Sequence, residues 1–197
     1  MKVIIITGSV GTGKTTLSKL LARKLNFHYI DVNKIIRKYN ISEGYDKKRK
    51  TNIVDINKLN KALIKEIKNY KNTIKKNSII SSNKNISIKN KRTFEKINEK
   101  NKNNKKIKNG IIIDSHLSHY LPKKYVDLCI VTKCNLKVLK NRLKKKKYSK
   151  DKIRENLDTE IFDVCLNEAK ENRHKIIVMD TTKGIKTHLE SFTKLIK

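Results

Sequence analysis

Val3-Ile4-Ile5-Ile6-Thr7 is an unbroken apolar run that stops at Gly8, the pattern of a strand buried on both faces of a parallel sheet rather than one alternating between core and solvent. Beyond the glycine, Leu17, Leu20, Leu21 and Leu25 recur at i, i+3, i+4 and i+8 and place an apolar stripe on a helix. Tyr29-Ile30-Asp31 predicts a short second strand, Asn33 is placed to cap a helix through about Tyr39, and another helix is expected from Ile56 to about Lys68. Three later apolar runs predict strands: Ile111-Ile112-Ile113-Asp114, Leu128-Cys129-Ile130-Val131-Thr132 and Ile176-Ile177-Val178-Met179-Asp180. Helices are expected from Leu136 to Lys146, from Asp151 to about Glu171, and from Lys186 to the end. Five short apolar strands separated by helices predict a single α/β domain over 1–197, a five-stranded parallel sheet with helices on both faces.

One stretch breaks the pattern. From 71 to 106 Lys and Asn dominate, with no sustained periodicity beyond Ile86, Ile88 and Phe94, which reads as a low-complexity insertion expected to be disordered. Composition agrees: 197 residues exclude two large domains, and 37% apolar residues fall below the roughly 45–50% of ordinary globular chains. No apolar run reaches the roughly 18 residues of a membrane span, and Met1-Lys2 meets the glycine loop too soon for a secretory signal, so a soluble cytoplasmic protein without a membrane partner is expected. Cys129, Cys134 and Cys165 form no CxxC pair, which suits reduced, buried thiols. With 49 Lys and Arg against 18 Asp and Glu, the formal charge is +31. Such a charge suits an RNA partner held through counterion release, yet a solvated lysine face arising from AT-rich coding gives the same composition, and composition leaves both open.

The chemistry starts at Gly8-Ser9-Val10-Gly11-Thr12-Gly13-Lys14-Thr15, which matches G-x-x-x-x-G-K-[ST] between a predicted strand and a predicted helix. Gly11 and Gly13 let backbone N–H groups converge on phosphate oxygens, and the helix N-terminus adds its positive dipole end. Lys14 reaches the β- and γ-phosphates, and the Thr15 hydroxyl ligates Mg²⁺. A dinucleotide-binding G-x-G-x-x-G is excluded because Thr16 stands where its third glycine belongs. A nucleoside triphosphate with magnesium is therefore expected in front of this loop. Asp114, ending the third strand, is placed to serve the metal, and His116, on the same side of an extended backbone, to position a water or read a phosphate.

Taken together, Gly8 to Thr16, Asn33 to Asp55 with Arg37 and Glu43-Gly44-Tyr45-Asp46, Asp114-Ser115-His116, and Tyr148 to Ala169 with Asn156-Leu157-Asp158-Thr159-Glu160-Ile161-Phe162 resemble the adenylate kinase 6 family of eukaryotes and archaea. The resemblance covers nearly the whole chain except the Lys/Asn insertion. It implies a P-loop NTPase fold of the nucleoside monophosphate kinase type, strand order 2-3-1-4-5, an acceptor-binding region at 33–55 and a short lid at 144–154. It implies that Gly11, Gly13, Lys14, Thr15 and Thr16 hold the triphosphate, with Arg142 and Lys146 beside the lid. Arg37, Gly44 and Asp46 would serve the monophosphate, and Asp114 and His116 would form the family's Walker B variant. It also implies ATP and AMP as substrates, adenylate kinase and ATPase activity, and a part in late maturation of the small ribosomal subunit and its rRNA, with a small-subunit ribosomal protein and the pre-ribosomal subunit as partners. Lys146 and Lys147 depart from the arginine and glycine usual before the lid tyrosine. Two rivals stay open: an assembly ATPase with incidental kinase activity, and a basic RNA or ribosomal-protein binding module switched by ATP.

Overall fold

The computed structural model describes residues 1–47, 51–83, 109–185 and 189–196. The central sheet contains β1 (Lys2–Thr7), β2 (His28–Asp31), β5 (Gly110–Asp114), β6 (Leu128–Lys133) and β7 (Ile176–Asp180), in the order β2-β5-β1-β6-β7 with every pairing parallel. Counting only sheet strands, this is the expected order 2-3-1-4-5. A separate antiparallel hairpin of β3 (Ser42–Asp46) and β4 (Thr51–Val54) carries a register shift between Ser42 and Gly44.

The apolar runs split by parity, as a strand's alternating side chains require. Val3, Ile5, Ile111, Ile113, Cys129 and Val131 pack one face against α2 (Val32–Lys38), α3 (Ile56–Asn83) and Ala169 of α6 (Val164–Glu171). Ile4, Ile6, Ile112, Leu128, Ile130 and Met179 pack the other against Leu17, Leu21 and Ala22 of α1 (Lys14–Lys24) and Ile196 of α7 (Leu189–Ile196). A third, smaller cluster joins Leu139 and Leu143 of α4 (Leu136–Lys145) and Ile153 of α5 (Lys150–Ile161) to Val10 of the glycine loop. Tyr148, between α4 and α5, packs against the same cluster.

Four expectations are corrected. Asp31, not Asn33, caps α2; its carboxylate accepts the Asn33 backbone N–H at 2.9 Å. The helix expected to end near Lys68 continues to Asn83, into the segment expected to be disordered, because Ile67, Tyr70 and Ile74 keep an apolar stripe going and Tyr70 stacks on His28 with ring centroids 4.7 Å apart. Residues 84–106 of that segment lie outside the described residues. The single helix expected from Asp151 to Glu171 is two, broken at Asp163, whose backbone is left-handed (φ 53°). The exposed polar hairpin β3–β4, with no buried face to generate alternation, carried no strand signal. Among the described residues no helix is long and apolar enough to cross a membrane.

Candidate active site

The loop from β1 to α1 is built on close backbone approach. Gly8 sits at φ 133°, and a Cβ there would lie 2.5 Å from the carbonyl oxygen of Thr132 on β6, so only glycine lets the chain leave β1 this near its neighbour. Gly11 and Gly13 are also at positive φ, 95° and 93°. The N-terminus of α1 has no side-chain cap and no acid in its first turn, an arrangement that favours an anion in front of it. Lys14 Nζ folds back to donate to the Ser9 carbonyl at 2.8 Å. Desolvation is the main reason its pKa falls to about 8, and the Lys146 ammonium adds to the shift while Asp114 opposes it.

In front of the loop lies a cavity of about 710 Å³. Gly11, Gly13, Lys14, Thr15, Thr16, Asp114, His116, Arg142 and Lys146 all line it, so every residue expected at the triphosphate faces one space. Leu20, expected on the core stripe of α1, lines this cavity as well, while Leu17 and Leu21 go to the sheet. Arg142 donates to the Thr181 carbonyl at 2.8 Å and to its hydroxyl at 3.2 Å. Thr15 and Asp114 bring a hydroxyl and a carboxylate to the same cavity, hard oxygen donors that suit a magnesium ion shared with phosphate oxygens. Among the described residues no group of three or more His, Cys, Asp or Glu could hold a metal without such help. Asp114 is buried and accepts the Tyr29 hydroxyl at 2.9 Å; burial and that carboxylate raise the Tyr29 pKa.

A second cavity, about 390 Å³, opens between α2, β4 and the turn after β5. Arg37 lines it together with Thr51, Asn52 and Val54. Gly44 and Asp46 are not in its lining; the facing strand β4 supplies the hairpin's contribution instead. Asn33, Ser115 and His116 line both cavities, which makes this turn the junction between them. His116 is exposed at that junction, and desolvation by the surrounding protein together with the Lys14 ammonium pushes its pKa below the ordinary histidine value, leaving the ring neutral at pH 7. The turn is pinned from behind. Thr7 Oγ1 lies 3.3 Å from the His116 carbonyl and 2.7 Å from Nδ1 of the buried His119, whose Nε2 is 2.8 Å from Glu168.

Sequence reasoning missed several of these contributors. Lys145, Gly184 and Ile185 line the first cavity, the last two from the loop after β7, where no motif marks them. Glu160 reaches the phosphate loop, and there a signal existed: with Ile153 and Leu157 it falls at i, i+4 and i+7, an acid on the apolar face of α5.

Known proteins similar to this chain are nucleotide-kinase relatives. The family model described as "AAA domain" matches residues 4–163. A protein of Methanocaldococcus jannaschii named "Putative adenylate kinase" is 32% identical over 179 residues, covering 91% of this chain and 76% of that protein. An "Adenylate kinase isoenzyme 6 homolog" of Caenorhabditis elegans is 28% identical over 98% of this chain and 87% of its own length. Among solved structures, shikimate kinase from Acinetobacter baumannii superposes with a TM-score of 0.55 at 12% identity, covering all of this chain and 93% of its own, a likeness of fold alone.

Proposed function

The chain belongs to the family of these adenylate kinase 6-like P-loop nucleotide kinases, and from that premise we propose that it transfers the γ-phosphoryl group of Mg-ATP to AMP and also hydrolyses ATP. The observation that carries the reading is the pair of cavities meeting at Ser115 and His116, with the phosphate loop in one and Arg37 in the other. A donor phosphate at Lys14 and an acceptor phosphate at Arg37 would face each other across that junction, the positioning that phosphoryl transfer chiefly requires.

In the reaction an oxygen of the AMP phosphate attacks the γ-phosphorus, the bond from that phosphorus to the β–γ bridging oxygen breaks, and two ADP result. Thr15 and Asp114 would hold Mg²⁺, which neutralises charge on the β- and γ-oxygens when bound. Lys14 leaves the Ser9 carbonyl for the γ-phosphate. Arg37 clamps the acceptor by a forked pair of hydrogen bonds that lysine cannot reproduce. The neutral ring of His116 supports the hydrolytic branch, because an imidazole at the junction can orient water where the acceptor phosphate would otherwise lie.

The resemblance to the adenylate kinase 6 family extends the proposal to maturation of the small ribosomal subunit with a ribosomal protein as partner, and the +31 charge suits a site rich in RNA phosphate. Arg37→Ala and His116→Ala test the division of labour. Arg37→Ala is expected to depress AMP-dependent ADP formation far more than phosphate release, and His116→Ala the reverse. Equal loss of both products in both variants would overturn the separate roles.

A further inference from the structure

Glu160 stands on the last turn of α5 with 4% of its surface exposed, yet it lines no part of the nucleotide cavity. Three donors from outside its helix converge on it. Ser9 Oγ donates to Oε2 at 2.6 Å, the Cys134 backbone N–H donates to Oε1 at 2.8 Å, and Lys133 Nζ lies 3.6 Å from Oε1 while donating to the Glu160 carbonyl at 2.9 Å. Burying a carboxylate is costly unless its oxygens are satisfied, and here both are. Ser9, itself 3% exposed, is the second residue of the phosphate loop. Its carbonyl accepts Lys14 Nζ at 2.8 Å and Thr12 Oγ1 at 2.8 Å. One residue of the loop is thus held by its side chain from α5, while its carbonyl sets the resting place of the lysine that must meet the phosphate.

We propose that Glu160 is a positioning residue for the donor-nucleotide site, acting through Ser9 to fix the first half of the phosphate loop. Because α5 begins within the segment expected to form the lid, the same contact ties that segment to the loop. Glu160→Gln keeps the shape but removes the charge and turns one acceptor oxygen into an NH₂: toward the Cys134 N–H and Lys133 this sets donor against donor, and toward Ser9 it forces the hydroxyl to turn from donor to acceptor, so the charge-assisted hydrogen bond from Ser9 is lost either way. Ser9→Ala removes the contact from the other side at the cost of one hydroxyl. The inference rests on the reading that the loop holds Mg-ATP, which wild-type binding checks separately.

The test measures Mg-ATP affinity by calorimetry, KM for Mg-ATP and for AMP, and thermal melting, in wild type, Ser9→Ala, Glu160→Gln and the double variant. Each single substitution is expected to weaken Mg-ATP binding and raise its KM by about three- to tenfold with KM for AMP unchanged, and the double to be no worse than the more severe single. A folded Ser9→Ala with Mg-ATP affinity within about twofold of wild type would overturn the proposal, as would KM for both substrates rising together or effects that multiply in the double variant. If Glu160→Gln fails to fold, Ser9→Ala decides alone. Wild-type protein that does not bind Mg-ATP would instead sink the nucleotide reading, and this inference with it.

Discussion

The guanidinium of Arg142 grips Thr181 at two points, its carbonyl at 2.8 Å and its hydroxyl at 3.2 Å, and that hydroxyl in turn donates to the Thr12 carbonyl at 2.6 Å. The loop after β7, α4 and the phosphate loop are thereby linked through one arginine. Arg142→Lys loses the fork while keeping the charge, and should cost about 1 to 2 kcal/mol, or a fall in Tm of about 2 to 8 °C, besides raising KM for Mg-ATP. A melting curve and a saturation curve on the same sample check both.

Lys14→Ala should lower ATP turnover by about a hundred- to a thousandfold, the scale of losing one preorganised donor to charge that develops in a transition state. The fold should survive, because Lys14 donates to a loop carbonyl and packs into neither core cluster. Near wild-type turnover in a variant with native circular dichroism would refute the phosphate-loop assignment.

Lys14 also sets an alkaline limit. In the free protein its pKa is lowered from 10.5 to about 8, chiefly by desolvation, so the ammonium that meets the phosphates is lost as pH rises past about 8. The kcat/KM for Mg-ATP, which reports the free enzyme, should hold below that pH and fall above it. The stability effect has the opposite sign: between pH 8 and 10.5 the unfolded chain holds the Lys14 proton more tightly than the folded one, so this residue's contribution to stability rises with pH across that window. A pH–rate profile set beside Tm measured at the same pH values separates the two.

Gly8→Ala should be the most damaging glycine substitution in the loop. Its Cβ would meet Thr132 backbone and hydroxyl oxygens at 2.5 Å, at a φ of 133°, and neither strand can retreat without breaking the β1–β6 pairing. A cost of about 3 kcal/mol, or about 6 to 12 °C in Tm, is expected. Gly184→Ala is the control. It too has positive φ (100°), but nothing lies within 4 Å of the added carbon, so its cost should be about 1 kcal/mol.

What was legible in the sequence follows from what each residue had to satisfy alone. The inner strands β5, β1 and β6 are buried on both faces and therefore read as runs such as Ile111 to Ile113, and the loop's chemistry is local enough to need no partner. The turn that carries His116 was legible by its neighbour Asp114, though its pinning by Thr7 and His119 was not, since Thr7 meets His116 and His119 across 109 and 112 residues of sequence. The hairpin at Ser42 and Thr51 is exposed and polar, so no alternation announced it. The break at Asp163 needs a left-handed residue that asparagine or aspartate adopts readily, a signal too common to decide anything. Arg37 was placed in the acceptor region by resemblance, and the structure gives it a cavity; Gly44 and Asp46, named on the same ground, stand on the strand that does not line it.

The central claim is transfer of a phosphoryl group from the loop at Lys14 to a monophosphate at Arg37. The measurement that meets it most directly is to incubate the protein with Mg-ATP, with and without AMP, and follow AMP, ADP and free phosphate together. The account predicts that AMP disappears as ADP forms, two ADP for each AMP consumed, above a slower release of phosphate that continues without AMP. ADP and phosphate rising in equal amounts while AMP stays constant would contradict it and leave an ATPase.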